Sequence, residues 1–264
     1  MRKLIAYLVV VLGGMPLARA ADAPPDPRAD VHFANPGLRA LMDWVSFQLT
    51  FDGDSLTPDM AAGDFKFTPT KTPRFVEGLK GRALVAGDGS GYAIYPRERN
   101  APLATRGAIS LWVCPVTWTH VNGGNTVLLM TTNASFYLQR QGPLHDPDGG
   151  LVRAEGVQFL MLAKTTGNNC LMFGTEDWPL HKWRLLVANW SWPMMQFSLD
   201  GGEFQSLTLK QNPAEADFGG FLVGSDGGEE TLLDEVTIYR RPLSLQEVQT
   251  IYEALRPKQT EAKR

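Results

Sequence analysis

Three groups of side chains could carry chemistry in this chain. The carboxylates come first. Asp52, Asp54 and Asp59 crowd a single turn, FDGDSLTPD, while Asp234 sits far away in the apolar run TLLDEVTIY. In an extended strand Leu232, Asp234, Val236 and Ile238 share a face, so Asp234 is expected among buried positions. A buried carboxylate must be paired, hydrogen-bonded or bound to a cation. Calcium takes roughly six to eight oxygens from carboxylates and carbonyls, and an Asp/Gly turn supplies both. Asp52 and Asp234 are therefore candidate metal ligands. The other reading is that Asp234 caps backbone amides and FDGD is ordinary turn chemistry. Zinc lacks support, because His32, His120, His145 and His181 show no ligand spacing and no Cys-x-x-Cys occurs.

Hydrolysis of a glycoside would need two carboxylates about 5 to 10 Å apart on one surface. On a strand that favours positions i and i+2, which face the same way. The acidic neighbours here, Glu229-Glu230 and Glu176-Asp177, are adjacent and diverge when extended. No Gly-x-Ser-x-Gly elbow or phosphate-cradling glycine loop is present. No catalytic residue is nominated.

Aromatic platforms form the second group. Sugars stack their apolar faces on tryptophan or tyrosine beside planar polar groups. Trp190 and Trp192 flank Ser191 at an expected hairpin, and Trp118 follows Pro115-Val116-Thr117 at a strand exit. These three are the candidate ligand-binding residues. Pro193 restricts Trp192 to extended conformations, which suits a rigid platform. The alternative for Trp192 is a lid folded over the core. Trp44, Trp112 and Trp183 are expected in packing roles, where large aromatics usually lie.

Cys114 and Cys170, the only cysteines, form the third group. An even count in an oxidising compartment permits one disulfide between them, and two buried thiols is the other reading.

The elements that must position these groups read as all-β. Residues 1–20 are an export signal: Arg2 and Lys3, an apolar run from Leu4 to Leu12, and Ala18-Arg19-Ala20 as the cleavage site. The apolar run is too short for a spanning helix, so no membrane insertion is expected. Losing Arg2, Lys3 and Arg19 takes the formal charge from −3 to −6, which argues against nucleic acid or anionic membranes as partners. The protein is expected to be exported, to the periplasm or beyond the cell. Residues 21–43 form a leader, proline- and aspartate-rich at its start and partly disordered; 44–256 form one domain, and 257–264 a charged tail. Between them run many short apolar stretches separated by Gly, Pro, Asn and Asp, among them Val45–Phe51, Ala108–Cys114, Val157–Ala163 and Trp183–Trp190. One convincing helix follows, capped by Ser244 with Glu247 and carrying Val248, Ile251, Tyr252 and Leu255 at helical spacing. Strand upon strand without intervening helices means antiparallel sheets, a sandwich or barrel.

Five pieces occur in order: LTFDGDSLTPD, FVEGLKGRALVAGDGSGYAIYP, GAISLWVCP, HKWRLLVANWSWPMMQFSLDGG and FLVGSDGGEETLLDEVTIYRRPLSLQEV. Together they resemble bacterial LamG-like domains, which are concanavalin-A-like (lectin/glucanase) jelly-roll sandwiches. The resemblance implies a two-sheet antiparallel jelly roll with one short C-terminal helix, and neighbouring first and last strands with Ca²⁺ between Asp52 and Asp234. It also implies a non-catalytic binding or adhesion module whose partner is a glycan or a cell-surface protein. The alternatives are a carbohydrate-active enzyme of the same fold or a structural protein-contact module. Two stretches depart from the family pattern. Ser191–Met195 replaces a small polar turn, and Gln141–Glu155 reads as an inserted loop on which specificity could reside.

Overall fold

The computed structural model describes residues 35–121 and 123–257. The export signal, most of the leader and nearly all of the tail lie outside the described residues. Asn35 opens a short helix, α1 (Pro36–Leu41), its side chain accepting from the Gly37 and Leu38 amides.

The remainder is two stacked antiparallel sheets, as the alternating apolar pattern predicts. In the first sheet the order is β16 (Gln205–Thr208), β15 (Met194–Leu199), β14 (Arg184–Ser191), β7 (Arg106–Pro115), β18 (Thr231–Tyr239), β1 (Val45–Leu49) and β2 (Met60–Ala61). Beside the early part of β18, β5 (Arg82–Ala86) adds on and carries β4 (Phe75–Glu77). The second sheet runs β13 (Asn169–Phe173), β12 (Gly156–Met161), β9 (Phe136–Gln141), β8 (Thr126–Thr131), β17 (Phe221–Gly224), β6 (Tyr92–Tyr95) and β3 (Thr68–Pro69). The stretch expected to be an inserted loop is a small separate hairpin, β10 (Leu144–His145) with β11 (Leu151–Arg153).

Between the sheets lies one core, built from Phe47, Leu49, Leu111, Val113, Phe136, Leu138, Phe159, Trp190, Phe197, Phe221 and their neighbours. The first and last strands pair as expected, Leu49 opposite Val236 and Val45 opposite Tyr239. The outer side of the first sheet carries a second apolar cluster. There α1 and the C-terminal helix α2 (Leu245–Leu255) cover Val45, Trp112, Leu185 and Val187 with Leu38, Leu41, Val248, Ile251 and Leu255. Ser244 and Glu247 close the expected capping box.

One expectation needs correcting. Asp234 is buried, yet it does not share a face with Val236 and Ile238. The register of β18 against β7 shifts between Asp234 and Thr237, and Glu235 takes a positive φ of 52°. This bulge inserts one residue, so Leu233, Val236 and Ile238 all reach the core. Asp234 turns to the outer side, opposite Trp112.

Candidate functional site

The aromatic candidates separate at once. Trp190 is 0% exposed and packs edge-on against Phe136 in the core, with its Nε1 directed at the Pro102 carbonyl. Trp118 is 4% exposed and stacks on Trp178, its Nε1 donating to Thr231 at 2.7 Å. Neither ring has a face to offer a ligand: alternation along β14 aims Trp190 inward, and Trp118, in the loop after β7, is held by Trp178 and by the Arg140 guanidinium over its ring, so both are withdrawn as platforms. Trp192 is half-buried, at the turn between β14 and β15, with a cis bond to Pro193. Its Nε1 donates to the Leu103 carbonyl at 2.7 Å, and its ring stacks on Phe218. Trp192 thus has features of both the platform and the lid.

Cys114 and Cys170 are free. Cys114 is buried on β7 of the first sheet, while Cys170 is exposed on β13, the edge of the second. The sheet assignment keeps these thiols apart, against the bridge that an even count permits, and of the two buried thiols in the other reading only Cys114 is buried. Burial pushes the Cys114 thiol up to about 11, so it is not a reactive thiolate.

Asp52 and Asp234 do converge, on the loop from Gly78 to Arg82. Lys80 N donates to Asp234 at 3.1 Å and Arg82 N to Asp52 at 2.9 Å. Glycines make the cradle, since a Cβ at Gly81 would collide with the Asp52 carboxylate and one at Gly78 with that of Asp234. Burial pushes the Asp234 carboxyl up to about 9, with Glu235 and then Asp52 adding repulsion, against the two amides that favour its charge. Among the described residues no group of three His, Cys, Asp or Glu side chains is arranged to hold a metal ion. Any cation here would take most of its oxygens from the backbone.

A second buried charge escaped the sequence reading. Arg140 is 0% exposed at the end of β9, paired with Glu229 at 2.5 Å and Glu155 at 3.5 Å. It donates to the Thr119 and Gly124 carbonyls and lies over the Trp118 ring. Burial lowers its affinity for the proton, and the two glutamates offset this only in part. Glu155 also holds His120 at 2.7 Å and accepts from Thr175. The glutamates are spent on the guanidinium. The cluster anchors the loop entering β8 and the strand β12.

The outer side of the second sheet is different in kind. Alternation on β9 sends Phe136 and Leu138 inward, and Tyr137, Gln139 and Gln141 outward. Pairing extends Tyr137 into a row across all seven strands: Cys170, Leu160, Tyr137, Met130, Leu222, Ile94 and Thr68. Beside it lies a second row of Met172, Gln158, Gln139 and Val127. Gln139 donates to Gln158 at 2.9 Å, and the Gln158 amide nitrogen reaches Met172 sulfur at 3.4 Å. At neighbour spacings of about 4.8 Å the long row spans roughly 29 Å. Its β3 end opens into a depression of about 420 Å³ lined by Phe67, Thr68, Ile94, Arg97, Glu98 and Thr132, among others. No helix covers this face among the described residues. The signal was in the sequence as alternation, Y-x-Q-x-Q, within strands that otherwise read as apolar on both sides.

These features agree with the comparisons. The chain belongs to the concanavalin A-like lectin/glucanases superfamily, whose family model matches residues 87–249. Among solved structures it is similar to the binding domain of botulinum neurotoxin serotype D, with TM-score 0.63, 12% identity, and coverage of 81% of this chain and 52% of that one. The serotype D ligand binding domain in complex with N-acetylneuraminic acid matches at TM-score 0.62 and 13% identity, over 82% of this chain and 52% of that one. Domain 4 of AbnA, a GH43 extracellular arabinanase from Geobacillus stearothermophilus, in complex with arabinotriose, matches at 0.57 and 17%, over 81% of this chain and 98% of that one. The chain spans about half the length of the neurotoxin domains. At these identities the likeness is one of fold, the two-sheet jelly roll. No curated protein matches the sequence. No helix of the described residues is long and apolar enough to cross a membrane.

Proposed function

We propose that the protein is an exported, non-catalytic glycan-binding module that uses the outer face of the second sheet. The observation that carries this is the half-buried Tyr137 ring beside the half-buried Gln139 amide, which donates to the buried Gln158, on a face that no helix covers among the described residues. A ring for stacking beside planar amides for hydroxyls is the chemistry that sugar recognition needs. No aspartate or glutamate lies in the seven strands, so this face offers no acid/base pair. The test is a glycan array probed with the mature chain and with Tyr137→Ala. Binding that the substitution removes supports this function; an array without signal, or binding indifferent to Tyr137, overturns it.

A protein-contact module is the competing function, and the apolar members of the long row favour it. A partner protein should be disrupted by Met130→Lys or Leu160→Glu in a pull-down that free sugar does not compete.

We further propose that Ca²⁺ binds between Asp52 and Asp234. The glycine cradle and the mutual repulsion of Asp234, Glu235 and Asp52 support it. Added calcium should raise the melting temperature of the wild type and leave Asp234→Asn unchanged, because a ligand bound only to the native state stabilises it. Equal responses would rule the site out.

A further inference from the structure

Resting on the proposed glycan-binding face, we infer that its ligand is an extended, uncharged oligosaccharide rather than a uronic or sialic acid polymer. Arg140 is the one charged residue in the seven strands of the second sheet, and it points inward. Its guanidinium is held by Glu229 and Glu155 beneath the face. The outward positions carry half-buried Tyr137, Gln139 and Gln141, the buried Gln158 that holds Gln139, and aliphatic or thioether side chains. Amides serve neutral hydroxyls as both donors and acceptors. A sugar carboxylate would instead call for a guanidinium or ammonium group.

Charges reappear at the margins: Arg153 of β11 donates to the Gly142 carbonyl beside Gln141, and further charges lie at the β3 end of the long row. In the depression at β3, Arg97 pairs with Glu215 and Lys66 lies 4.0 Å from Asp64. Glu98 adds another negative charge at that rim. An anionic chain along the long row would meet no outward cation in the seven strands and a carboxylate at the β3 end. The length of the row, roughly 29 Å, suits several linked sugars rather than one.

The experiment is affinity electrophoresis of the mature chain in native gels containing neutral polysaccharides (arabinan, β-glucan, mannan) or anionic ones (polygalacturonate, alginate, polysialic acid). Retardation by a neutral polymer is expected, equal at low and high salt, since an uncharged ligand has nothing for ions to screen. Tyr137→Ala should weaken it about thirtyfold, the loss typical of a central aromatic anchor. Tyr137→Phe, which keeps the ring, should retain it. Gln139→Ala supplies an independent variant of the same face should Tyr137→Ala fold poorly. Salt-sensitive retardation by an anionic polymer, abolished by the same variants, overturns the neutral-ligand inference and leaves glycan recognition by this face intact. Retardation by none of the polymers, or by one that ignores both variants, overturns both.

Discussion

The two sheets share one core but differ on their outer sides. On the first, Trp112 is fully buried and stacks on Tyr252 of α2, with ring centroids 5.8 Å apart. Both α-helices of the described residues are used to roof that side. On the second, no helix covers Tyr137 and its row, where Met130, Leu160 and Ile94 stay half-buried and only Leu222 is closed off from water by its neighbours. Leaving apolar area in water forgoes about 25 cal/mol per Å². A chain that roofs one side and not the other therefore keeps the second at a cost in stability, which is what a surface reserved for a partner requires.

The largest expected effect lies on the covered side. Trp112→Ala should empty a site closed by α2 and destabilise by about 3–5 kcal/mol in urea denaturation. A loss below about 1 kcal/mol would show the helix does not hold its place on the sheet, and the contrast between the faces would collapse.

Asp234 belongs to that first sheet too, and its effect is smaller and depends on pH. Its carboxyl rests at about 9 in the fold against an ordinary 3.8, so the native state binds the proton more tightly than the unfolded chain. The stability this confers is complete below pH 3.8 and is lost as pH rises through about 9. Without divalent cations, thermal melts should show stability falling across that window, and Asp234→Asn should flatten the fall. Calcium should flatten it as well by replacing the proton. Near neutral pH, Asp234→Ala should cost on the order of 1–3 kcal/mol for the amides left unsatisfied.

The fold was legible in the sequence and the contrast between the two outer sides was not, for particular reasons. Alternation in Val45–Phe51 and the capping box at Ser244 gave the first strand and the last helix directly, because both are local patterns. Trp190 misled for lack of one residue's worth of register, since a residue beside a turn can face either way, and Trp118 because its partners Trp178, Arg140 and Thr231 are far away in sequence. Asp234 was rightly expected to be buried, but the bulge at Glu235 moved it to the other side of the sheet. A bulge leaves no mark in hydrophobic spacing until it is counted. Arg140 could not be found locally at all. Its partners lie at Glu155 and Glu229, and only sheet pairing brings them together.

Trp192 tests the border between roofed and open. Losing the bond to Leu103 and the stack on Phe218 should destabilise Trp192→Ala by about 1–3 kcal/mol, and Trp192→Phe by about 1. A loss of about 3–5 kcal/mol for the alanine variant would mark the ring as a lid over the core. Near-zero loss with weakened binding would make it part of the ligand surface.

The smallest expected effect on stability is the most informative for function. Tyr137 is half-buried by its neighbours in the row, and burial alone raises its hydroxyl above the usual phenol range. Its ring fills no cavity, so Tyr137→Ala leaves nothing to collapse and should cost no more than about 1 kcal/mol, far below Trp112→Ala. Both substitutions remove an aromatic ring from the outer side of a sheet, and both sheets share the same core. The difference between their melting temperatures therefore isolates what the helical roof contributes. If Tyr137→Ala proved as damaging as Trp112→Ala, the open side would be a structural surface like the other, and a ligand would have to be sought elsewhere on the molecule.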